Sequence, residues 1–291
     1  MHPFLHRQFG FMGSQATHQQ ADFVLFGVPM DFTVSFQSGT RFGPQAIRLV
    51  SDALEEYSYY QQGSLKDVKY YDAGDLDLPL GNTLLSLDRI EKVADNIFIS
   101  NKLPVAMGGE HLISFPLVKA AKKHFEDLVV FHFDAHGDLR EDYGGEIYNH
   151  ATVMRHVGKL VGFENLYQFG IRSGSAEELA FAKSNVNFFF DEILEPLNRL
   201  ANGWQGGPIY LSIDIDVVDP AFAPGTGTPE PGGCTSKEIL QAMLLMVKLP
   251  VVALDIVEVS PQRDQSQRTA VLAAKLIREA LIGLHLNKNT L

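Results

Sequence analysis

The ten residues VVFHFDAHGD at 129–138 join a strongly apolar run to three side chains that commonly bind metal ions, Asp134, His136 and Asp138. Along an extended chain every second side chain points to the same side. If strand geometry persists, two carboxylates and an imidazole therefore share one surface. Because burying such groups without partners is costly, their density indicates a metal site.

Three further segments end an apolar run in acidic or imidazole side chains. They are VAMGGEHL with Glu110 and His111, LSIDIDVVDP with Asp214 and Asp216, and LDIVEVSP with Asp255 and Glu258. Each segment alone has an ordinary alternative, because Asp at the end of a strand often caps a helix or forms a turn. His132 also shares the parity of the first cluster, but its apolar neighbours favour a hydrogen-bonded core residue or a residue that supports a ligand. The hypothesis depends on the recurrence of all four segments.

If these strands are neighbours, their ends bring six candidate ligands together: His111, Asp134, His136, Asp138, Asp214 and Asp216. Oxygen donors are in the majority and the only thiol is Cys234, so the set favours Mn²⁺ over structural Zn²⁺, and the imidazoles favour Mn²⁺ over Mg²⁺ or Ca²⁺. Two metal ions about 3.5–4 Å apart would turn a bridging water into a hydroxide near neutral pH. The expected chemistry is metal-assisted hydrolysis.

Short β-branched or aromatic runs alternate with amphipathic segments along the chain. The runs predict strands at 22–27, 68–72, 103–107, 128–134, 166–171, 186–190, 208–215 and 251–257. Helical periodicity predicts helices at 44–58, 83–99, 113–126, 235–248 and 266–284. This alternation is typical of an α/β fold with a parallel sheet covered on both faces, although a closed barrel of eight units is a rival. No linker is visible, so we expect one domain over 1–291.

Composition excludes several classes of protein. The 291 residues carry a net charge of −11, which argues against nucleic acid or an anionic membrane as partner and favours a cationic ligand. A single cysteine excludes an intrachain disulfide and suits a reducing compartment. The chain begins without the apolar core of a signal peptide and contains no run long enough to span a bilayer. We therefore expect a soluble cytoplasmic protein.

Taken together, these segments resemble the ureohydrolase family of arginases, agmatinases and their relatives. The resemblance covers nearly the whole chain and includes SGTRFGPQAIR at 38–48, SIDIDVVDPAFAPGTGTPEPGG at 212–233 and DIVEVSPQRD at 255–264. It implies a three-layer α/β/α fold with an eight-stranded parallel sheet, which decides against the barrel. It also implies two Mn²⁺ ions per subunit and an assembly of three or six identical subunits.

The resemblance assigns roles to individual residues. His111, Asp134, Asp138 and Asp214 would be the cluster shared between the two ions, completed by His136 and Asp216. Asp138 would also orient the bridging hydroxide, and Glu258 would accept hydrogen bonds from the guanidinium group of the substrate. His150 would bind the substrate side of the site and carry a proton to the leaving amine. The alternative for His150 is an ordinary residue of a surface loop.

The substrate is predicted from the loop LREDYGGEIYNH at 139–150. Its acidic side chains, Glu141, Asp142 and Glu146, would repel an α-carboxylate unless Arg140 faced it. GGEHL and the following NHATVMR are most similar to agmatinases of the bacterial polyamine pathway. We therefore expect hydrolysis of agmatine to putrescine and urea, with an arginase or a guanidinobutyrase as the alternative.

The chain departs from the family pattern at two positions near the candidate ligands. Glu110 stands where the family frequently has Asp, a change expected to affect how His111 is supported, and Gly137 stands where many agmatinases have Thr.

A non-catalytic protein is the alternative from another class of function. A family member that keeps the metals but is not catalytic would have lost a ligand or the guanidinium acceptor. All six ligands and Glu258 are present, which favours an enzyme.

Overall fold

Strands form at the β-branched and aromatic runs, and helices form in the amphipathic segments between them. The computed structural model describes residues 4–6, 10–14 and 16–288, so both ends of the predicted domain, 1–291, lie outside the described residues. The strands are β1 (Leu5–His6), β2 (Phe23–Val28), β3 (Tyr57–Ser58), β4 (Gly63–Ser64), β5 (Tyr70–Leu76), β6 (Leu103–Gly108), β7 (Val129–Phe133), β8 (Leu166–Ile171), β9 (Asn187–Phe190), β10 (Ile209–Asp214) and β11 (Val251–Val257). The α-helices are α1 (Gly43–Ser51), α2 (Thr83–Ile99), α3 (Ser114–His124), α4 (Val153–Val161), α5 (Ala176–Asn185), α6 (Leu194–Ala201), α7 (Ser236–Met246) and α8 (Arg268–Lys288).

The main sheet is open and has the strand order β1-β5-β2-β6-β11-β10-β7-β8-β9. Its eight long strands are parallel, and only the two-residue β1 pairs antiparallel, at the edge next to β5. The predicted eight-stranded parallel sheet is confirmed, with β1 as an addition. Each of the eight predicted strands overlaps an observed one. The barrel alternative is wrong, because the two ends of the sheet do not pair within the described residues.

Helices cover both faces of the sheet and give the predicted three layers. On one face α8 packs against α1 and α7, and α6 packs against α7. On the other face α3 packs between α2 and α4. Each face has its own cluster of buried apolar side chains, because successive residues of a strand point to opposite faces. None of the described helices is both long and apolar enough to cross a lipid bilayer.

The helix predicted at 44–58 is wrong in its second half. Helix α1 ends at Ser51, and the chain then forms a turn and the small antiparallel hairpin β3–β4. The sequence YSYY at 57–60 favours extended structure, because aromatic residues pack well on a pleated surface. Ser58 is buried and donates a hydrogen bond of 2.6 Å to Glu279 of α8, which fixes the hairpin against that helix.

Sequence periodicity did not predict α4, α5 and α6. Helix α5 begins with a capping box, in which the Ser175 hydroxyl accepts from Glu178 N and the Glu178 carboxylate accepts from Ser175 N. Ser-x-x-Glu is a recognised start signal that could have found this helix. The same device at Thr235 and Glu238 begins α7, close to the start of the helix predicted at 235–248.

The segment at 38–48 is a structural element of the fold. Arg48 is buried on α1, and its Nε lies 2.7 Å from Asp72 Oδ2 on β5. A second nitrogen of Arg48, Nη2, lies 2.9 Å from the other oxygen of Asp72. This paired contact ties α1 to the edge of the sheet, since a guanidinium and a carboxylate match each other at two points.

The four strands that lead into the candidate ligands and Glu258 are adjacent. Strands β6, β11, β10 and β7 follow one another in the centre of the sheet, with Leu254 of β11 beside Val105 of β6 and Ile213 of β10 beside Phe133 of β7. Because all four are parallel, their carboxyl ends meet at one edge, where ligands bind in open α/β sheets. The sheet order thus explains why segments far apart in sequence form one site.

Replacing Phe131 with Ala should lower the free energy of unfolding by about 3–5 kcal/mol, as for other large-to-small changes in a core. The ring is fully buried on β7 and packs against Phe169 and Trp204, at centroid distances of 5.3 and 5.1 Å. The matched control is Phe190→Ala on the edge strand β9, where the side chain is 59% exposed and the expected change is within about 0.5 kcal/mol. Urea denaturation followed by circular dichroism measures both, and equal losses would contradict the packing described.

Candidate active site

The structure brings all six predicted ligands together at the carboxyl ends of the central strands. His111 lies in the turn after β6, and its Nδ1 is 3.0 Å from Asp134 Oδ2, 3.2 Å from Asp138 Oδ2 and 3.3 Å from Asp214 Oδ2. His111, Asp134 and Asp214 are buried, and Asp138 is 6% exposed. Their role as metal ligands stays a prediction, but the predicted proximity is confirmed.

A second group lies beside the first and shares Asp134 with it. His136 Nδ1 is 3.0 Å from Asp216 Oδ2 and 3.5 Å from Asp134 Oδ1. Asp134 thus presents Oδ2 to His111 and Oδ1 to His136. A carboxylate with one oxygen in each group is suited to bridge two cations.

Hydrogen bonding fixes which nitrogen of His111 carries its proton in the neutral ring. Ser212 Oγ donates to Asp255 Oδ1 at 2.8 Å, so it accepts from His111 Nε2–H at 3.0 Å. In the neutral ring the unprotonated Nδ1 then faces three carboxylates. Burial opposes the shift, but Asp134, Asp138 and Asp214 raise the pKa of His111 well above its usual value, so a positive charge is favoured at this nitrogen. A lone pair and three anionic oxygens at this distance repel one another unless a cation lies between them. The arrangement therefore fits a metal ion.

His132 supports the cluster and is not free to be a ligand, as its sequence context favoured. Gln168 Nε2 donates to His132 Nδ1 at 3.0 Å, so the ring donates from Nε2 to Asp134 Oδ2 at 2.8 Å. All three side chains are completely buried. Both ring nitrogens are used, and the second bond holds the shared carboxylate in place. Such supporting bonds commonly orient a ligand and tune its metal affinity.

The two imidazoles of the cluster can balance at most half of the negative charge of its four carboxylates. Burial raises the pKa of Asp214 well above its usual value, and the neighbouring carboxylates Asp216 and Asp134 raise it further. Burial and the Asp134 carboxylate also raise the pKa of Asp216. Both shifts report that charged carboxylates are disfavoured at this place without an added cation. Divalent ions would supply it, and the oxygen-rich donor set suits Mn²⁺.

Two residues of the site adopt the left-handed backbone region that non-glycine residues rarely occupy. The φ angles are 51° at Asp138 and 63° at Glu258. The Asp138 carbonyl accepts from Met154 N at 3.0 Å and Arg155 N at 3.2 Å, which are free donors in the first turn of α4. The Glu258 main chain is held by a bond from its N–H to the Gly109 carbonyl at 2.9 Å. These bonds stabilise a conformation that aims both side chains into the site.

The Gly108–Gly109 pair allows β6 to end close to β2. A Cβ atom on Gly109 would overlap the backbone oxygens of Val28 and Met30. Glycine at this position therefore lets the turn carrying Glu110 and His111 lie against the end of β2.

Glu258 keeps one carboxylate oxygen for a ligand. Its Oε1 accepts from His111 N at 2.8 Å, and the side chain is 5% exposed and lines a cleft of about 270 Å³. Burial raises the pKa of Glu258 to about 8, against the hydrogen bond from His111, which lowers it. A cation in the cleft would favour the charged carboxylate.

His150 lies across the cleft and is held by the loop after β2. Its Nδ1 is 2.7 Å from the Thr33 carbonyl and its Nε2 is 3.1 Å from Ser35 Oγ. Because a carbonyl only accepts, Nδ1 carries the proton of the neutral ring. Burial lowers the pKa of His150 below its usual value, although Asp138 opposes the shift. The ring is therefore neutral at pH 7, with Nε2 on the cleft side.

Glu110 was expected to affect how His111 is supported, because it stands where the family frequently has Asp. The structure shows no contact of its carboxylate with the ring of His111 among the described hydrogen bonds. The Glu110 carboxylate instead accepts two hydrogen bonds from Thr33, one from the backbone N–H and one from the hydroxyl, both of 2.8 Å. The ring of His111 is supported by Ser212.

The loop at 139–150 contributes Arg140, Tyr143 and His150 to the cleft lining. Arg140 Nε lies 3.1 Å from Glu178 Oε2, and its guanidinium carbon lies 4.8 Å from the Tyr143 ring centroid. The acidic side chains that favoured agmatine are exposed and are not among the lining residues that the structure describes: Glu141, Asp142 and Glu146. The argument from their charge is therefore not supported by their positions.

Several functional candidates were missed because no local sequence pattern marks them. Thr33 and Ser35 contact His150 although they lie more than a hundred residues away in sequence. Arg172 was missed as well; its guanidinium donates to the carbonyls of Asp216 and Glu230 at 2.8 and 2.7 Å, which holds together the segment that follows β10. Only the folded sheet brings these residues together.

Comparison with known proteins shows similarity over nearly the whole chain. The family described as Arginase family matches residues 21–283. The agmatinase of Bacillus subtilis (strain 168) is 49% identical over 276 residues, covering 94% of this chain and 95% of that protein. The solved agmatine ureohydrolase of Thermoplasma volcanium has a TM-score of 0.88 at 31% identity and covers 95% of this chain and 94% of its own. The solved proclavaminate amidino hydrolase of Streptomyces clavuligerus has a TM-score of 0.89 at 32% identity, with 98% and 99% covered.

Replacing Asp138 with Asn should weaken binding of divalent metal at least about 10-fold, the lower end of what loss of a supporting group alone costs. The change removes one negative charge and one donor oxygen 3.2 Å from His111. The matched control is Asp142→Asn in the exposed part of the same loop, where the carboxylate accepts from Gly145 N. Metal content after dialysis, measured by mass spectrometry, should fall only in the first variant. Equal metal content in both would remove Asp138 from the site.

Proposed function

The chain belongs to the arginase family and is an agmatinase-like ureohydrolase, and on that premise we propose that it hydrolyses agmatine to putrescine and urea with two Mn²⁺ ions. The observation that carries the proposal is the composition of one cleft. The metal cluster, a free oxygen of Glu258 and Nε2 of His150 all face the same space of about 270 Å³. This is room for a small guanidino compound.

The two ions would be held by the six-residue cluster, with Asp134 between them. His111, Asp138 and Asp214 surround one position, and His136 and Asp216 surround the other. When bound, the ions supply Lewis acidity that lowers the pKa of a water molecule toward neutrality. Asp138 lies at the cleft side of the cluster and is suited to accept a hydrogen bond from that water.

Glu258 would bind the guanidinium group of the substrate. Its Oε2 is not used by His111 N, and a planar guanidinium presents N–H donors to a carboxylate with good geometry. Binding a cation would also lower the raised pKa of Glu258, so the carboxylate would be charged when the substrate is bound. Fixing the substrate close to the cluster contributes to the rate by orientation.

His150 would transfer the proton that hydrolysis moves from water to the leaving amine. Its Nδ1 is committed to the Thr33 carbonyl, so Nε2 is the atom that accepts and then returns the proton. Its lowered pKa keeps the ring neutral, and thus able to accept, at neutral pH.

Two charged residues in the cleft lining bear on which guanidino compound is used. Arg140 faces the cleft, but Glu178 pairs with it at 3.1 Å and the pair is close to neutral in charge. An unpaired arginine would favour a substrate that ends in a carboxylate. The paired arrangement removes most of that preference, and the agmatinase relatives then favour agmatine. Arginine and 4-guanidinobutyrate are the second candidates, because Arg140 remains within reach.

Three sequence predictions stay predictions: a homo-oligomer of three or six subunits, a cytoplasmic location and a single domain. The native mass in solution, from light scattering, tests the first.

A urea-release assay with Mn²⁺ tests the substrate. Agmatine should be turned over at least about 100-fold more efficiently than arginine, since the α-carboxylate of arginine would meet an Arg140 that Glu178 already pairs, and a charge placed in a cleft without a free partner is unfavourable. The panel also contains 4-guanidinobutyrate and guanidinopropionate. Faster turnover of a compound that ends in a carboxylate would overturn the choice of agmatine and leave the hydrolysis intact. No urea from any of the four would overturn the proposed function.

Replacing His150 with Ala should slow turnover roughly 10²–10⁴-fold, the usual contribution of a general acid or base, while metal content stays unchanged. In the unchanged enzyme kcat/KM should fall as pH drops through the lowered pKa of His150, because a protonated ring accepts no proton. That limb lies below pH 6.5 and should be absent in the variant. His124→Ala on the outer helix α3 is the control and should behave like the unchanged enzyme. A full rate with the same pH profile in H150A would make His150 an ordinary loop residue.

A further inference from the structure

We propose that Glu110 and Thr33 are positioning residues that hold His150 in the orientation and proton arrangement it needs. The inference rests on the proposed role of His150 in hydrolysis. It assigns a function to the glutamate of the GGEH segment that is separate from the metal cluster beside it.

Glu110 is completely buried at the end of β6, and both of its oxygens are used by one residue. Oε2 accepts from Thr33 N at 2.8 Å, and Oε1 accepts from Thr33 Oγ1 at 2.8 Å. Two hydrogen bonds to one buried side chain fix the position of Thr33 closely, because both its backbone N–H and its hydroxyl are held. The loop after β2 is thereby anchored at Thr33.

Thr33 in turn holds His150 at two points. Its hydroxyl oxygen accepts from His150 N at 3.1 Å, and its carbonyl accepts from His150 Nδ1 at 2.7 Å. The donors and acceptors match at every step, since the single hydroxyl proton of Thr33 goes to Glu110 and a lone pair receives the His150 N–H. Residues 117 positions apart in the chain are thus joined through both the backbone and the ring.

This double contact determines what His150 presents to the cleft. With Nδ1–H bound to the Thr33 carbonyl, the neutral ring carries its lone pair on Nε2, 3.1 Å from Ser35 Oγ. If Thr33 moved, the ring could rotate or exchange its proton to Nε2, and the atom facing the substrate could no longer accept. A small displacement of a catalytic group is enough to reduce a rate by about 100-fold.

The length of Glu110 is part of the arrangement. The residue follows Gly109, whose own N–H is bound to the Val28 carbonyl, so its backbone is fixed at the end of the sheet. From that fixed point the carboxylate reaches both donors of Thr33. Asp at this position would be one methylene shorter and could not keep both 2.8 Å contacts without a shift of the loop.

The test compares Thr33→Val with its matched control Thr33→Ser, each made in the unchanged enzyme and in the His150→Ala variant. Val keeps the size of Thr but removes the hydroxyl, and Ser keeps the hydroxyl. We expect T33V to lower kcat for the best substrate of the panel about 10- to 100-fold with little change in KM or metal content, and T33S to stay within about 3-fold. In the H150A background T33V should change kcat by less than about 2-fold, because residues that act as a unit are not additive.

Two results would overturn the proposal. An equal loss from T33V in both backgrounds would mean that Thr33 acts on the metal cluster or the fold, and unchanged kcat in T33V would mean that the hydroxyl is not used. Glu110→Gln adds an independent variant that keeps the side-chain length. It retains an acceptor for Thr33 N but cannot accept from Thr33 Oγ1 at the same time with its amide nitrogen, so its kcat should lie between those of T33V and the unchanged enzyme.

A spectroscopic measurement separates this proposal from the proposed function. ¹⁵N chemical shifts of the His150 ring, recorded on Mg²⁺-loaded protein with labelled histidine, report which nitrogen is protonated. The unchanged protein and T33S should show the Nδ1–H form, and T33V should show both forms. If no guanidino compound releases urea but these shifts hold, the positioning is correct and the assigned reaction is wrong. If T33V leaves the shifts unchanged while the enzyme is active, the positioning is wrong.

Discussion

Four carboxylates share a small volume at the carboxyl ends of the four central strands, and their mutual repulsion governs the site. Asp134 and Asp214 are almost fully buried, and the lone pair of His111 Nδ1 faces them together with Asp138. An arrangement of this kind is stable only with a counter-charge, which ordinary side chains of the cluster supply incompletely. The hydrogen bonds from His132 to Asp134 and from His111 to Ser212 hold these two predicted ligands in position before a metal ion binds.

The same requirement explains where the strain of the backbone lies. Asp138 and Glu258 have positive φ angles, and hydrogen bonds hold the main chain of each residue. The first turn of α4 donates to the Asp138 carbonyl, and Glu258 N donates to the Gly109 carbonyl. These main-chain hydrogen bonds, which lie outside the cluster, offset the energetic cost of the left-handed conformation. In consequence the carboxylates of Asp138 and Glu258 keep fixed positions relative to each other.

Local sequence patterns were enough to predict most of the sheet and the six clustered side chains. They did not predict the residues that contact and position the site from neighbouring loops. Asp134, His136 and Asp138 are two residues apart, so their spacing after an apolar run reveals them directly. The extended geometry assumed for them is wrong, because β7 ends at Phe133 and Asp138 has a φ angle of 51°. Thr33 gives no such signal, because its contacts with Glu110 and His150 depend on two loops that meet only after folding. The error at 44–58 has the opposite origin, since helical periodicity there is overridden by the contact of Ser58 with α8.

The order of the strands has a consequence for synthesis of the chain. β6 and β7 follow each other in sequence but are separated in the sheet by β10 and β11, which are translated last. A nascent chain that has reached β9 therefore holds two unpaired inner edges, and the binding groups of residues 111 and 134–138 face a gap until 251–257 emerges from the ribosome. Asp214 and Asp216 arrive only with β10, so an ion captured earlier would find four of the six predicted ligands. We therefore expect metal binding to follow closure of the sheet and not to direct it.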